Sequence, residues 1–134
     1  MTVGNQGLEP RMKHRGSELE ASIMDLMKPD IVQVEDGKSE IHFLKRPEFT
    51  IGGGVVQGGI VAVMLDMAMA LAGDGKLSTA SLQCDILRPV ADDELTVKGN
   101  IVRAGRRIIF AEAEMTNRDG VVLARGTQTA VPLS

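Results

Sequence analysis

From Ile60 to Ala72 the chain reads IVAVMLDMAMALA, apolar at every position except Asp66. A surface helix shows a polar face at a period of 3.6 residues, and this run has none, so a helix here must be covered all round. Gln57 and Asp66 interrupt the run and it is too short for a bilayer, which takes about 20 apolar residues. One sheet covers only one side of a helix. The far side then calls for a second copy of the chain, and a homodimer is expected.

Leaving a carboxylate unpaired inside such a helix costs several kcal/mol, so Asp66 must be hydrogen-bonded, reach a wet cleft or hold its proton. Each of these makes it a candidate acid, base or nucleophile; the plainer reading is a structural bond to backbone amides across a subunit interface. Gly58 and Gly59 open the helix. Glycine there lets a ligand approach the free N–H groups of the first turn, where the positive end of the helix dipole can polarise a carbonyl. Tight packing at a turn is the simpler alternative. The eight residues from Gly58 to Asp66 span about 12 Å of helix, whereas a reacting carbonyl must lie within about 3 Å of both. If the two act together, they come from different chains.

Residues 1–16 read as a polar, aperiodic arm and residues 17–134 as one domain. Ser17 with Glu20 resembles a capping box before a helix that carries Leu19, Ile23, Leu26 and Met27 on one face and ends at Pro29. IVQVED and SEIHFLKR flank Gly37 as a hairpin. After the apolar helix, LSTASLQCDILRP, ELTVKGNIVRAG, RIIFAEAEMTNRDG and VVLARGTQTAVP read as four successive antiparallel strands with short connections. The class is α+β, a curved antiparallel sheet wrapped around a central helix, with an extra N-terminal helix.

A net charge of −3 argues against a nucleic-acid backbone as partner. With three Phe and neither Trp nor Tyr, there is little to stack on bases. The single cysteine, Cys84, excludes an internal disulfide and a cysteine zinc motif; it reads as a small core residue in a cytoplasmic protein. No secretory signal or membrane span is read. His14 and His42 lack a second ligand at metal spacing, and neither GGGVVQGG nor GDGKLS ends as a phosphate loop does, so no metal or cofactor site is expected. Arg88 and Arg106, favoured over Arg103 and Arg107, are candidates for holding phosphates, against the alternative of solvated strand ends. Met69, with Met64 and Met67, is a core filler that can also line an adaptable pocket.

The string VQGGIVAVMLDMAMALA, followed by STASLQCDILRPV and GNIVRAGRRIIFAEAEMTNRDGVVLARGTQT, resembles the hotdog-fold acyl-CoA thioesterases of the phenylacetate-degradation (PaaI) type from about residue 30 onward. The resemblance implies a hotdog fold and hydrolysis of an acyl-CoA thioester, with coenzyme A as part of the substrate rather than a cofactor. It makes Asp66 the nucleophile or general base, Gly58 and Gly59 the amides that hold the thioester oxygen, and Thr79 the hydroxyl that orients water or the carboxylate. It also implies a homodimer with a site built from two chains, and a tetramer as a further assembly. Relatives commonly carry His where this chain has Gln57, and Asn or Gln where it has Ile51; Gln57 still donates hydrogen bonds but does not titrate. These two departures predict weaker hydrolysis and motivate the alternative of a non-catalytic acyl-CoA binding or structural module.

Overall fold

The computed structural model describes residues 22–133. A five-residue helix α1 (Ile23–Met27) leads into β1 (Asp30–Glu35) and β2 (Lys38–Leu44), then a 3-10 turn (Pro47–Phe49) and the central helix α2 (Gly58–Ala72). Strands β3 (Leu77–Ile86), β4 (Glu94–Ala104), β5 (Ile109–Thr116) and β6 (Val122–Pro132) follow. All six strands form one antiparallel sheet in the order β1-β2-β4-β5-β6-β3, curved around α2 as in a hotdog fold.

The strands follow from period-two patterning. In β5, Ile109, Ala111, Ala113 and Met115 point into the core while Phe110 and Glu112 point out. Ile41 and Phe43 of β2 and Leu95 and Val97 of β4 close the core from the same side. α2 lies so close to the sheet that a Cβ on Gly99 would collide with the Ala68 carbonyl oxygen, which also accepts a 2.6 Å hydrogen bond from the buried Ser39 hydroxyl. The obstacle is backbone, which does not swing aside. Gly99→Ala should therefore cost about 3 kcal/mol through overpacking, read as a lower urea midpoint.

Two expectations are corrected. The described part of the N-terminal helix is capped at Ser22, which is extended and forms a capping box with Asp25, so no continuous helix runs from residue 17 to Met27. Ser17, Leu19 and Glu20 lie outside the described residues, and of the other three predicted core contacts Met27 alone is buried, because one turn of helix presents too little face. Nor are the last four strands successive neighbours: β3 pairs with β6 at the sheet edge, while β4 pairs with β2 and β5. Residues 87–93 carry the chain across the end of the sheet, pinned by buried Val90, whose carbonyl accepts from Val56 N–H at 2.8 Å.

α2 is not covered all round by its own chain. Gly59 is exposed, and Ala62, Val63, Asp66, Ala70 and Gly73 are only half-buried. Spaced by three or four residues, they form one stripe along the helix. This stripe is written in small side chains rather than polar ones, so the hydropathy of the sequence does not reveal it.

Candidate functional site

Asp66 sits at the middle of that stripe. Its Oδ1 accepts 2.8 Å from Gln128 Nε2 on β6 and 3.1 Å from Thr79 Oγ1 on β3. Thr79 Oγ1 also lies 3.4 Å from Gln128 Oε1, which closes a three-residue network. Both bonds within the network end on one oxygen of the carboxylate; among the described residues no hydrogen bond reaches Oδ2.

A β-bulge brings Thr79 here. Leu82 pairs with Gln128 and Ser81 with Thr129, but Thr79 pairs with Ala130, so Ala80 is an extra residue in β3. In a regular strand Thr79 and Leu82, three apart, would point to opposite faces. The inserted residue restores Thr79 to the helix side, a use of bulges common beside active sites.

Cys84, opposite Gly126 on the same face of β3, is half-buried. Burial pushes its thiol above the ordinary range, and the charge of Asp66 and then that of Asp85 push it further. It is a poor nucleophile here and serves as a reporter of the carboxylate. Iodoacetamide alkylation of Cys84 should follow an apparent pKa above the ordinary thiol value. Asp66→Asn should move that titration downward, because it removes a negative charge that disfavours thiolate, and mass spectrometry across pH reads the change.

At its N-terminal end, α2 starts from an extended Gln57 whose side chain makes no cap hydrogen bond. The Gln57 carbonyl accepts from Ile60 and Val61, and neither Gly58 nor Gly59 N–H donates to a loop or cap among the described residues. A Cβ on Gly58 would touch Ile86 at 3.4 Å, whereas one on Gly59 would meet nothing within 4 Å. The second glycine thus opens onto free space. The amides of this first turn and Asp66 are separated along the helix by about 12 Å within one chain.

The other predicted residues are dispersed. Arg88 follows β3 at the end of the sheet where Ile86 meets the α2 N-terminus, while Arg106 lies in the β4–β5 turn at the opposite end, beyond the Ile109–Ala130–Thr79 row. Thr79 to Ile86 is seven residues, or about 23 Å of strand. One chain therefore does not bring both arginines to one phosphate group. Met69 is fully buried against Gly126 and fills the core. Ile51 is 73% exposed on a loop whose three glycines, Gly52 to Gly54, all hold positive φ. Among the described residues no cluster of His, Cys, Asp or Glu is placed to hold a metal, and no helix is long and apolar enough to cross a membrane.

Gln128 escaped the sequence reading. Its signal was parity: Ala124, Gly126 and Ala130 share its face, and a polar side chain among small inward residues must have a partner.

Comparison with known proteins agrees with this architecture. Residues 45–131 match the family described as acyl-CoA thioesterase, N-terminal domain. A candidate esterase of Saccharolobus solfataricus is 29% identical over 100 residues, covering 71% of each chain. The medium/long-chain acyl-CoA thioesterase YigI of Salmonella typhimurium is 27% identical over 94 residues, covering 56% of this chain and 61% of that one. The PaaI protein from the phenylacetic acid degradation operon of Escherichia coli shares the fold, with a TM-score of 0.78 at 18% identity over 92% of this chain and 93% of that one. With the family match spanning more than half of its length, the chain belongs to the acyl-CoA thioesterase family, whose chemistry is thioester hydrolysis.

Proposed function

We propose that this protein hydrolyses small or medium acyl-CoA thioesters, aromatic acyl groups included, to the free acid and CoA at a site shared by two subunits. The observation that carries the reading is the state of Asp66: one carboxylate oxygen is held by the protein, the other is left to react, and both lie on the one stripe of α2 that its own chain leaves open.

Because the first-turn amides and the carboxylate of one helix are too far apart, the Gly58 and Gly59 amides of one chain polarise the thioester carbonyl while Asp66 of the second chain works on the carbonyl carbon. Asp66 acts either as nucleophile or as general base. In the first case Oδ2 adds to the carbonyl, the C–S bond breaks to release CoA thiolate, and water hydrolyses the resulting anhydride; in the second Oδ2 takes a proton from the attacking water as its oxygen bonds the carbonyl carbon, and the C–S bond then breaks to release CoA thiolate. Thr79 orients the carboxylate or the water, and Gln57 and the nearby Arg88 flank the helix entrance where the substrate arrives. Thiolate is a good leaving group, so no cofactor enters the reaction. Arg106 is a further phosphate contact that only a second chain brings near the first.

The exposed edge of β3 supports the dimer. Its inward-facing Leu82 and Ile86 are 41% and 43% exposed beside the open stripe, an apolar strip that a second copy of the same strand and helix would cover. A thiol-trapping assay over short, medium and aromatic acyl-CoAs tests the function: CoA release supports hydrolysis, and saturable binding without release would leave an acyl-CoA binding module instead.

A further inference from the structure

We propose that Gln128 is a positioning residue that fixes Asp66 through Oδ1 and so assigns the reaction to Oδ2. This rests on the reading of Asp66 as the reacting carboxylate.

The geometry separates Gln128 from Thr79. Gln128 is 3% exposed on β6, an internal strand bonded on both sides by β5 and β3, whereas Thr79 is exposed on the sheet edge. The Gln128 bond to Asp66 is also the shorter, 2.8 Å against 3.1 Å. An ionised carboxylate only accepts, so the amide presents its N–H₂ to Asp66 and its oxygen faces the Thr79 hydroxyl at 3.4 Å. That hydroxyl has one proton, and the closer, charged oxygen takes it. Oδ1 thus receives two donors at once, and rotation of the carboxyl group, which would exchange the two oxygens, breaks both.

A buried amide among Ala124, Gly126 and Ala130 makes little sense as packing alone. Burial without a partner costs free energy, and among the described residues its side-chain partners are Asp66 and Thr79. The remaining titratable group facing Asp66 is Cys84 on β3; the inward faces of β1, β2, β4, β5 and β6 offer α2 no ionisable side chain among the described residues.

Two variants test this. Gln128→Met keeps the length and apolar fit but removes the donor; Asp66 Oδ1 keeps its bond from Thr79, and circular dichroism and a denaturation curve check that the variant is folded. The expected result is a kcat lower by about 10- to 100-fold with KM within about threefold, since positioning is lost rather than binding. Gln128→Glu keeps the shape but replaces the N–H₂ donor to Asp66 by a carboxyl group, and should lower kcat at least as far as Gln128→Met does. The carboxyl-carbon NMR chemical shift of Asp66 at fixed pH reads the loss of that donor without turnover, and should move in both variants. If wild-type protein releases no CoA, the functional reading fails while this chemical shift still decides the role of Gln128. An Asp66 carboxyl chemical shift that is unchanged in both folded variants, or a rise in KM with kcat intact, overturns the proposal.

Discussion

Asp66→Asn is expected to lower kcat for acyl-CoA hydrolysis by about 10²–10⁴-fold, the range typical of losing a positioned base, while the protein stays folded and KM changes little. The substitution is nearly isosteric, and Asn retains a carbonyl oxygen able to accept from Gln128 and Thr79, so the network around it persists. What disappears is the negative charge and the basic Oδ2. Stopped-flow or steady-state thiol trapping measures the loss, and chemical denaturation confirms the fold. An Asn variant that turns over as the wild type does would remove Asp66 from the chemistry.

The second large effect concerns assembly. Leu82→Glu is expected to convert the proposed dimer into monomers and to abolish hydrolysis with it. In the single chain this side chain is 41% exposed, so the charge is solvated and folding should tolerate it. In a two-fold interface the same change appears twice, and a carboxylate buried without a partner costs about 3 kcal/mol or more at each place, about 6 kcal/mol per dimer and roughly 10⁴-fold in the dimer dissociation constant. Light scattering across a dilution series measures this beside the rate per subunit. A variant that dissociates yet retains full activity would mean that one chain carries a complete site.

Much of this was readable from the residues, and the limits have physical causes. The apolar run fixed α2 and marked Asp66 as its one anomaly, because burial penalises charge far more than it discriminates among aliphatic side chains. Alternation located the strands, since β5 repeats its pattern without a fault from Ile109 to Met115. Strand order was another matter: that β3 leaves for the far edge depends on β4 finding partners on both sides, a long-range competition no local pattern records. The bulge at Ala80 was hidden as well. Strict alternation would turn Thr79 outward, and only the register against Ala130 shows that it faces Asp66. Gln128 was visible in principle as a polar residue on an inward face, yet its value lies in meeting a side chain 62 positions earlier. Arg88 and Arg106 look equivalent as cations beside turns, and only the ladder puts them at opposite ends of the sheet.

The claim that joins these findings is that each site takes its carbonyl-binding amides from one chain and its carboxylate from the other. Subunit complementation tests it directly. Gly59→Val fills the open space above the first turn, and Gly59 has neither a positive φ nor a neighbour within 4 Å of its missing Cβ, so the chain should fold. This variant and Asp66→Asn are each expected to be inactive alone. Co-expressed and purified as mixed dimers, they should regain activity, because a mixed dimer pairs the intact Gly59 of one chain with the intact Asp66 of the other. Random assortment makes half the dimers mixed with one working site of two, so about a quarter of wild-type turnover is predicted. A mixture that stays as inactive as its parents, with mixed dimers shown to be present by mass spectrometry, would contradict the shared site.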